Sequence, residues 1–558
     1  MRSTPALTAV AALALAVAAL PAAADPSGPA QPDLKRFYTQ KIKWAACKPD
    51  VQNLSEDVTK DKDVTCGTVK VPLDYADPGR GTIRLALLKI KSSGDKRGSL
   101  LVNFGGPGGA GVAGLADAKK DFGYVGKGYD VVGFDPRGVG LSEPVSCGGD
   151  PEPGDDVEDP GDASAILKEL RATAAECAKK SGPVLPYIGT VNVSRDLDVM
   201  RQALGDKKLN YLGFSYGTRL GAVYTAQFPK KVGRMVLDGV DTLTEDVAEQ
   251  ALVGAEGRQT ALDNFLLWCT KNAGCVFGED SRNARHAMTK LIDDLDAYPL
   301  RSMDGQEFTG QDVVSVLGSA LYSRQAWPAL SQALGALLAD GDPRALLRMG
   351  GSMGGTTRTK VPSDNSAAAL MAVNCADDPD RPDAKRVERE VGRLQEEFEE
   401  ASPVFGKSML LPVLLCFGRP AGTDYIREDV RDVDTPKFLL VGTRGDPATP
   451  YRWTVETAER LGSSAVVLDN RGDGHTGYGR GTACVDDAVE GYLVSPPARA
   501  NAVFPQPDGS ILIVGDRDSS LAVWHLFPPD RQVMDSATLP QSRQAVPIQV
   551  GDRLYLAV

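Results

Sequence analysis

Leu209-Asn210-Tyr211-Leu212-Gly213-Phe214-Ser215-Tyr216-Gly217 joins a short apolar run of strand character to a G-x-S-x-G pentapeptide, and a helical pattern over 218–228 follows it. That order decides the reading. A serine raised on a sharp strand-to-helix turn needs small residues on both sides so that the backbone can bend tightly. The pentapeptide alone is weak: with 59 glycines in 558 residues, roughly 0.35 chance matches are expected in such a chain. The strand before it and the helix after it are the context that gives it meaning.

Outward from this stretch, 99–104 and 129–134 are short apolar runs that end in Gly-rich turns, the pattern of buried parallel strands. Residues 193–204 have helical spacing, 233–238 are strand-like again, and 66–73 and 82–91 alternate like a hairpin. Strand and helix in this rhythm predict an α/β protein with a mostly parallel, doubly wound sheet. From 241 to 430 the texture changes. Helical patterns (249–271, 282–297, 325–338, 386–400) dominate and strand runs are missing, until strand character returns at 437–441 and 465–468. The expected organisation is a core in two parts, 46–240 and 431–495, with a helical cap inserted at 241–430. An atypical β-rich tail, 496–558, follows.

Residues 1–24 have the layout of a secretory signal peptide. Met1-Arg2 supply charge, 6–20 are uncharged and Ala/Leu-rich, and Ala22-Ala23-Ala24 offer a cleavage site before Asp25. The apolar run is too short to span a bilayer and no second run of spanning length follows, so a soluble, secreted extracellular protein without a membrane span is expected. Residues 25–45 read as a leader or propeptide-like segment. Nine cysteines suit an oxidising compartment. Sequential pairing (Cys47 with Cys66, Cys147 with Cys177, Cys269 with Cys275, Cys375 with Cys416) is the expectation, with Cys484 left over, although spacing alone does not set connectivity.

Hydrophobic residues at 42% and charged residues at 24% describe a globular chain with a full core, and its length suggests three or four domains of ordinary size. A net charge of −12 with no long basic run argues against a nucleic-acid partner. No C-x-x-C and no Cys/His cluster occurs, so neither a metal site nor a cofactor is expected. Seven acids among Pro and Gly in 150–162 read as a solvated loop rather than a calcium site.

Only three histidines exist. His286 lies in a charged helical run and His525 in the tail. His475 lies in Gly472-Asp473-Gly474-His475-Thr476-Gly477, just after a strand-like run. It is the candidate base. Its acid should fall between Ser215 and His475 after the preceding strand, where Asp446 in Gly445-Asp446-Pro447-Ala448-Thr449-Pro450 fits best. Asp469 and Asp473 are rivals, too near in sequence to orient the far nitrogen of His475. In such a triad Ser215 attacks a carbonyl, His475 takes its proton and returns it to the leaving group, and Asp446 holds the imidazole tautomer. Asn103-Phe104-Gly105-Gly106-Pro107-Gly108-Gly109 follows a buried strand, and its backbone N–H groups, at Gly106, form with that of Tyr216 the candidate oxyanion hole. With no Lys-Ser/Thr ending and no G-x-G-x-x-G, a phosphate loop fits poorly.

The run 192–239, with Asp196-Leu197-Asp198, the elbow, Phe228-Pro229 and Leu237-Asp238-Gly239, resembles the secreted tripeptidyl aminopeptidases. These belong to the proline-iminopeptidase branch of the α/β-hydrolases. Gly105-Gly106-Pro107-Gly108-Gly109, Asp135-Pro136-Arg137-Gly138 and the segment around Asp446 are similar to that branch's motifs, and the resemblance spans about residues 40 to 495. It implies an α/β-hydrolase core, the triad Ser215, Asp446 and His475, and a peptide substrate with a free N-terminus. An aminopeptidase must also recognise an ammonium. Asp377, in Asn374-Cys375-Ala376-Asp377-Asp378, is the favoured carboxylate.

Two departures stand out. The branch often has His before Gly-Gly-Pro-Gly, where Phe104 stands here, and its members commonly end with a Cys soon after the position of Leu493. Here 63 residues without Cys follow from 496 on. Two rival functions remain: a secreted carboxylesterase or lipase with the same triad, and a non-catalytic binding module on the hydrolase fold. Carboxylate-nucleophile relatives are disfavoured by Ser215 at the elbow, and metallopeptidase action lacks any H-E-x-x-H.

Overall fold

Two six-residue strands with apolar middles, Leu100-Leu101-Val102 and Val131-Val132, supply the centre of the sheet, where Gly98–Asn103 (β3) and Tyr129–Phe134 (β4) are buried along their whole length. The computed structural model describes residues 32–49, 54–147, 163–272, 274–301, 307–353, 365–381, 383–414, 416–425 and 429–494, and strand residues 502–505, 511–517, 520–526, 546–550 and 553–557. The expected signal peptide and the acidic loop 150–162 lie outside the described residues.

The hairpin Val64–Pro72 (β1) and Thr82–Ile90 (β2) opens an eight-stranded sheet that also holds Leu209–Phe214 (β5) and Val232–Asp238 (β6). After β6 come the two-residue strands Leu300–Arg301 (β7) and Glu307–Phe308 (β8), which form a pair of their own. Phe438–Gly445 (β9) and Ala465–Asp473 (β10) then complete the large sheet. The spatial order is β1-β2-β4-β3-β5-β6-β9-β10. Only the β1–β2 and β2–β4 pairs are antiparallel; from β4 to β10 every pair is parallel. This is the α/β-hydrolase architecture expected from the sequence.

Successive strand residues point to opposite faces, and two cores follow from that alternation. Leu101, Val132, Tyr211, Leu237 and Leu440 meet helices Thr190–Ala203 and Tyr216–Gln227 on one face. Leu100, Val131, Leu212, Val236 and Leu439 meet Gly111–Asp117 and Ala483–Val494 on the other. A fully buried ion pair pins the β1–β2 end of the sheet: Arg137 donates to both oxygens of Asp196 at 2.6 and 2.7 Å and to the carbonyls of Pro72, Leu73 and Tyr187. Tyr75 adds an O–H bond to Asp196 at 2.8 Å. Such a pair is tolerated in a low dielectric because its hydrogen-bonding groups are answered.

Between β6 and β9 the regular elements of the described residues are helices apart from β7 and β8, which the sequence pattern did not suggest. Helices Val247–Thr270, Ser281–Ala297, Gly310–Ala320 and Trp327–Asp340 bury a separate core around Phe265, Trp327, Leu330 and Leu334, with Trp268 and Trp327 rings 5.7 Å apart. The disulfides join Cys47–Cys66, Cys147–Cys177, Cys269–Cys275 and Cys375–Cys416, and Cys484 is free and exposed. In the tail, Ala502–Pro505 (β11), Ile511–Arg517 (β12) and Ser520–Leu526 (β13) form an antiparallel sheet, and Val546–Val550 (β14) pairs with Arg553–Ala557 (β15). These strands lie in the stretch that the sequence reads as β-rich.

Candidate active site

At the C-terminal end of β5 the chain turns into helix Tyr216–Gln227 through Ser215, whose φ of 54° and ψ of −124° are rare for a residue with a side chain. Glycines make the turn possible. A Cβ on Gly213 would lie 2.4 Å from the carbonyl of Gly217, and one on Gly217 would lie 2.8 Å from Oδ1 of Asn103. The strained backbone is held by Ser215 N–H donating to the carbonyl of Asp238 at 2.9 Å and by Thr218 donating its N–H and hydroxyl to the carbonyl of Ser215.

His475 follows β10 and Asp446 follows β9, as parallel neighbours deliver their C-terminal loops to one edge. Nδ1 of His475 lies 2.9 and 3.0 Å from the two oxygens of Asp446. Asp446 also accepts the N–H groups of Ala448 and Thr449 at 2.8 Å, and the Thr449 hydroxyl and Thr476 N–H at 3.0 Å. Burial alone would raise this carboxyl. His475 and the N–H groups of Thr449 and Thr476 more than offset that and hold it below the usual carboxylate value. A buried carboxylate answered only by donors stays ionised and balances an imidazolium formed beside it.

The two rival acids are engaged elsewhere. Asp469 is bound by Arg444 at 2.7 Å, and Asp473 by Asn264 and Arg324. His286 is exposed on helix Ser281–Ala297, and His525 lies on β13.

A second buried carboxylate, Asp238, ends β6 and accepts the N–H groups of Gly477 and Tyr478, each at 2.8 Å. Burial raises it to about 7, partly opposed by those two hydrogen bonds. Its own backbone carbonyl holds Ser215, and a Cβ on the next residue, Gly239, would lie 3.4 Å from Cε1 of His475. Asp238 thus links the elbow to the histidine loop. The only sequence trace of this role is an apolar strand ending in Asp-Gly.

The glycine loop after β3 lies directly on the elbow: a Cβ on Gly105 would be 2.7 Å from the carbonyl of Phe214 and 2.8 Å from Cβ of Ser215. Gly105, Gly106 and Gly108 have φ of 91°, 105° and 102°, values that only glycine adopts freely. Tyr216 is the first residue of its helix, so its N–H has no intrahelical acceptor and is open to an oxyanion. Phe104, in place of histidine, stacks on Phe214 with ring centroids 6.1 Å apart. It also meets Phe122 edge-on, with centroids 6.0 Å apart, so its contacts there are apolar.

Asp377 closes helix Ser366–Asp377, whose first turn packs on Gly108. Its oxygens accept Thr190 N–H at 2.7 Å, the Thr190 hydroxyl at 2.5 Å and Arg219 Nη1 at 3.4 Å, while Arg219 Nη2 lies 3.0 Å from Asp241. The Thr190 hydroxyl is in turn 2.8 Å from the Tyr216 hydroxyl. A cavity of about 30 Å³ is lined by Asp377, Asp424, Gln250, Arg219 and Tyr425. It has room for one small group.

Residues 99–332 match the family described as alpha/beta hydrolase fold, and residues 402–503 match TAP-like protein. The chain belongs to the α/β-hydrolase family. Among its relatives are the serine protease Hip1 of Mycobacterium tuberculosis, 34% identical with 83% of this chain and 91% of the relative covered, and the tripeptidyl aminopeptidase of Streptomyces lividans, 32% identical with 84% and 87% covered. Carboxylesterase B of Mycobacterium tuberculosis is 32% identical, with 86% and 93% covered.

Proposed function

We propose that this chain is a secreted serine exopeptidase that hydrolyses peptide bonds near a free N-terminus and releases tripeptides. The observation that carries the reading is the buried Asp446–His475 pair on the loops beside the Ser215 elbow. Ser215 attacks the peptide carbonyl while His475 accepts its proton. Asp446 keeps the proton on Nδ1, so that the other ring nitrogen is the base. The N–H groups of Gly106 and Tyr216 receive the developing oxyanion. His475 then protonates the departing amine, and water resolves the acyl-enzyme. The names of the Hip1 and tripeptidyl aminopeptidase relatives support a peptidase.

For the substrate's ammonium we assign the small cavity at Asp377. Asp377 and Asp424 line it, Asp377 beside the guanidinium of Arg219 and Asp424 paired with Arg195 at 3.1 Å. The cavity's scale suits an ammonium, and Arg219 moderates the charge. Export is supported by the four disulfides and by the layout of residues 1–24.

A second reading, ester hydrolysis with the same triad, is favoured by the carboxylesterase B relative. The test uses purified protein and Ser215→Ala with three substrates: a tripeptide anilide with a free amine, the same anilide acetylated, and a short acyl ester. Cleavage of the free-amine anilide, lost on acetylation and in Ser215→Ala, supports the exopeptidase. Turnover of the ester alone replaces it with an esterase. No Ser215-dependent turnover leaves a binding module.

A further inference from the structure

Asp473, a rival acid by sequence, faces the helical insertion instead of the imidazole. It is the last residue of β10 and pairs with Gly445, next to Asp446. Its Oδ1 accepts Nδ2 of Asn264 at 2.9 Å, from helix Val247–Thr270, and its Oδ2 accepts Nη1 of Arg324 at 2.5 Å, from the turn Arg324–Ala326. Tyr322, two residues before that turn, reaches His475 twice. The His475 N–H donates to the carbonyl of Tyr322 at 2.9 Å, and the Tyr322 ring stands edge-on to the imidazole, with centroids 4.9 Å apart.

We propose that Asp473 is a positioning residue through which the helical insertion sets the catalytic base, so that the triad is productive only when the insertion is seated. The inference rests on the triad proposed above. Sheet and insertion both hold the histidine loop: before His475, the Gly474 N–H donates to the carbonyl of Gly445 in β9 at 3.2 Å. Residues 476–478 bond to Asp446 and Asp238 of the sheet. The His475 N–H itself takes its acceptor from the insertion, at the Tyr322 carbonyl, and Gly474 before it has a φ of 103° that glycine adopts freely. A Cβ on Gly474 would lie 2.9 Å from the Tyr322 carbonyl, so the two segments are in direct contact. Lifting the insertion for substrate entry removes the acceptor of His475 and both donors of Asp473 together. Seating it restores all three, and with them the ring position against Asp446.

The test compares Asp473→Asn, Arg324→Ala, their double variant and Arg324→Lys in the full chain. It reads kcat and KM on the free-amine tripeptide anilide and the rate at which a fluorophosphonate labels Ser215. Because small misplacements of catalytic groups cost up to ~10²-fold, each single variant should lower kcat by about tenfold or more while KM stays within about twofold. Labelling should slow in proportion. The double variant should be no worse than the singles, and Arg324→Lys should recover most of the loss. Arg324 has a side chain 55% exposed, so Arg324→Ala carries the test if Asp473→Asn fails to fold.

Unchanged kcat in a folded Arg324→Ala protein, an effect on KM alone, or multiplied losses in the double variant would each overturn the coupling. If Ser215→Ala is inactive while Arg324→Ala is fully active, only the coupling fails. If Ser215→Ala remains active, the triad itself fails.

Discussion

Asp446→Asn changes one atom and gives a prediction that can be worked through from the geometry. Every neighbour of this carboxylate is a donor or a ring nitrogen. An asparagine keeps one acceptor oxygen. It belongs at Oδ1, where the N–H groups of Ala448 and Thr449 both approach to 2.8 Å. The new NH₂ then occupies the Oδ2 position, 3.0 Å from Nδ1 of His475 and 3.0 Å from Thr476 N–H. It donates to Nδ1, which forces the ring proton onto the nitrogen that should accept one from Ser215. A base in the wrong tautomer lowers kcat by ~10⁴-fold, or ~5.4 kcal/mol at 1.36 kcal/mol per decade.

The buried Thr476 N–H loses its acceptor as well, which costs stability ~1–3 kcal/mol. Two assays separate the effects. Steady-state turnover of the free-amine anilide should fall by about four decades with KM little changed, and denaturant unfolding should show only the smaller loss. Retention of more than about a tenth of wild-type kcat would refute the assignment. So would an equal loss in Asp469→Asn, whose carboxylate is held by Arg444.

Three further outcomes are expected. Gly105→Ala places a Cβ against the Phe214 carbonyl and Cβ of Ser215 at a φ of 91°, so it should displace the oxyanion loop and lower kcat by ~10²–10³-fold; turnover within a factor of two of wild type would contradict this. Arg219→Met leaves Asp241 and Asp377 buried without their shared cation and should lower the unfolding free energy by ~3–5 kcal/mol, and a denaturant titration showing under about 1 kcal/mol would refute it. Burial raises Asp238 to about 7 and Asp135 to about 6, so between about pH 4 and 7 the folded chain holds protons that the unfolded chain releases. Stability from these two groups therefore falls as pH rises through that window. Denaturation midpoints at about pH 5 and 7.5 should differ less in Asp238→Asn than in wild type; an equal difference would clear Asp238 of the effect.

Much of the fold is legible in the chain because its signals are local. An apolar run ended by glycine makes a buried strand wherever it is placed, and the turn at Ser215 can be built only from residues as small as Gly213 and Gly217. His475 stands out by elimination among three histidines, two of which lie in an exposed helix and in the tail. Helices such as Ser366–Asp377 and Tyr451–Leu461 are harder to see: the first is apolar nearly throughout, and the second is short.

The sequence by itself determined the strands of the large sheet, the elbow and the candidate order serine, acid, histidine, because periodicity and the steric needs of glycine act over a few residues. The tertiary structure decided which carboxylate meets which partner. Asp446, Asp469 and Asp473 lie within 28 residues, yet β9 and β10 turn one to His475, one to Arg444 and one to the helical insertion. Asp238 reaches the histidine loop from 239 residues away, and Asp377 meets Arg219 across 158. A charge is neutralised by whatever the fold brings within about 4 Å, and no spacing along the chain encodes that distance.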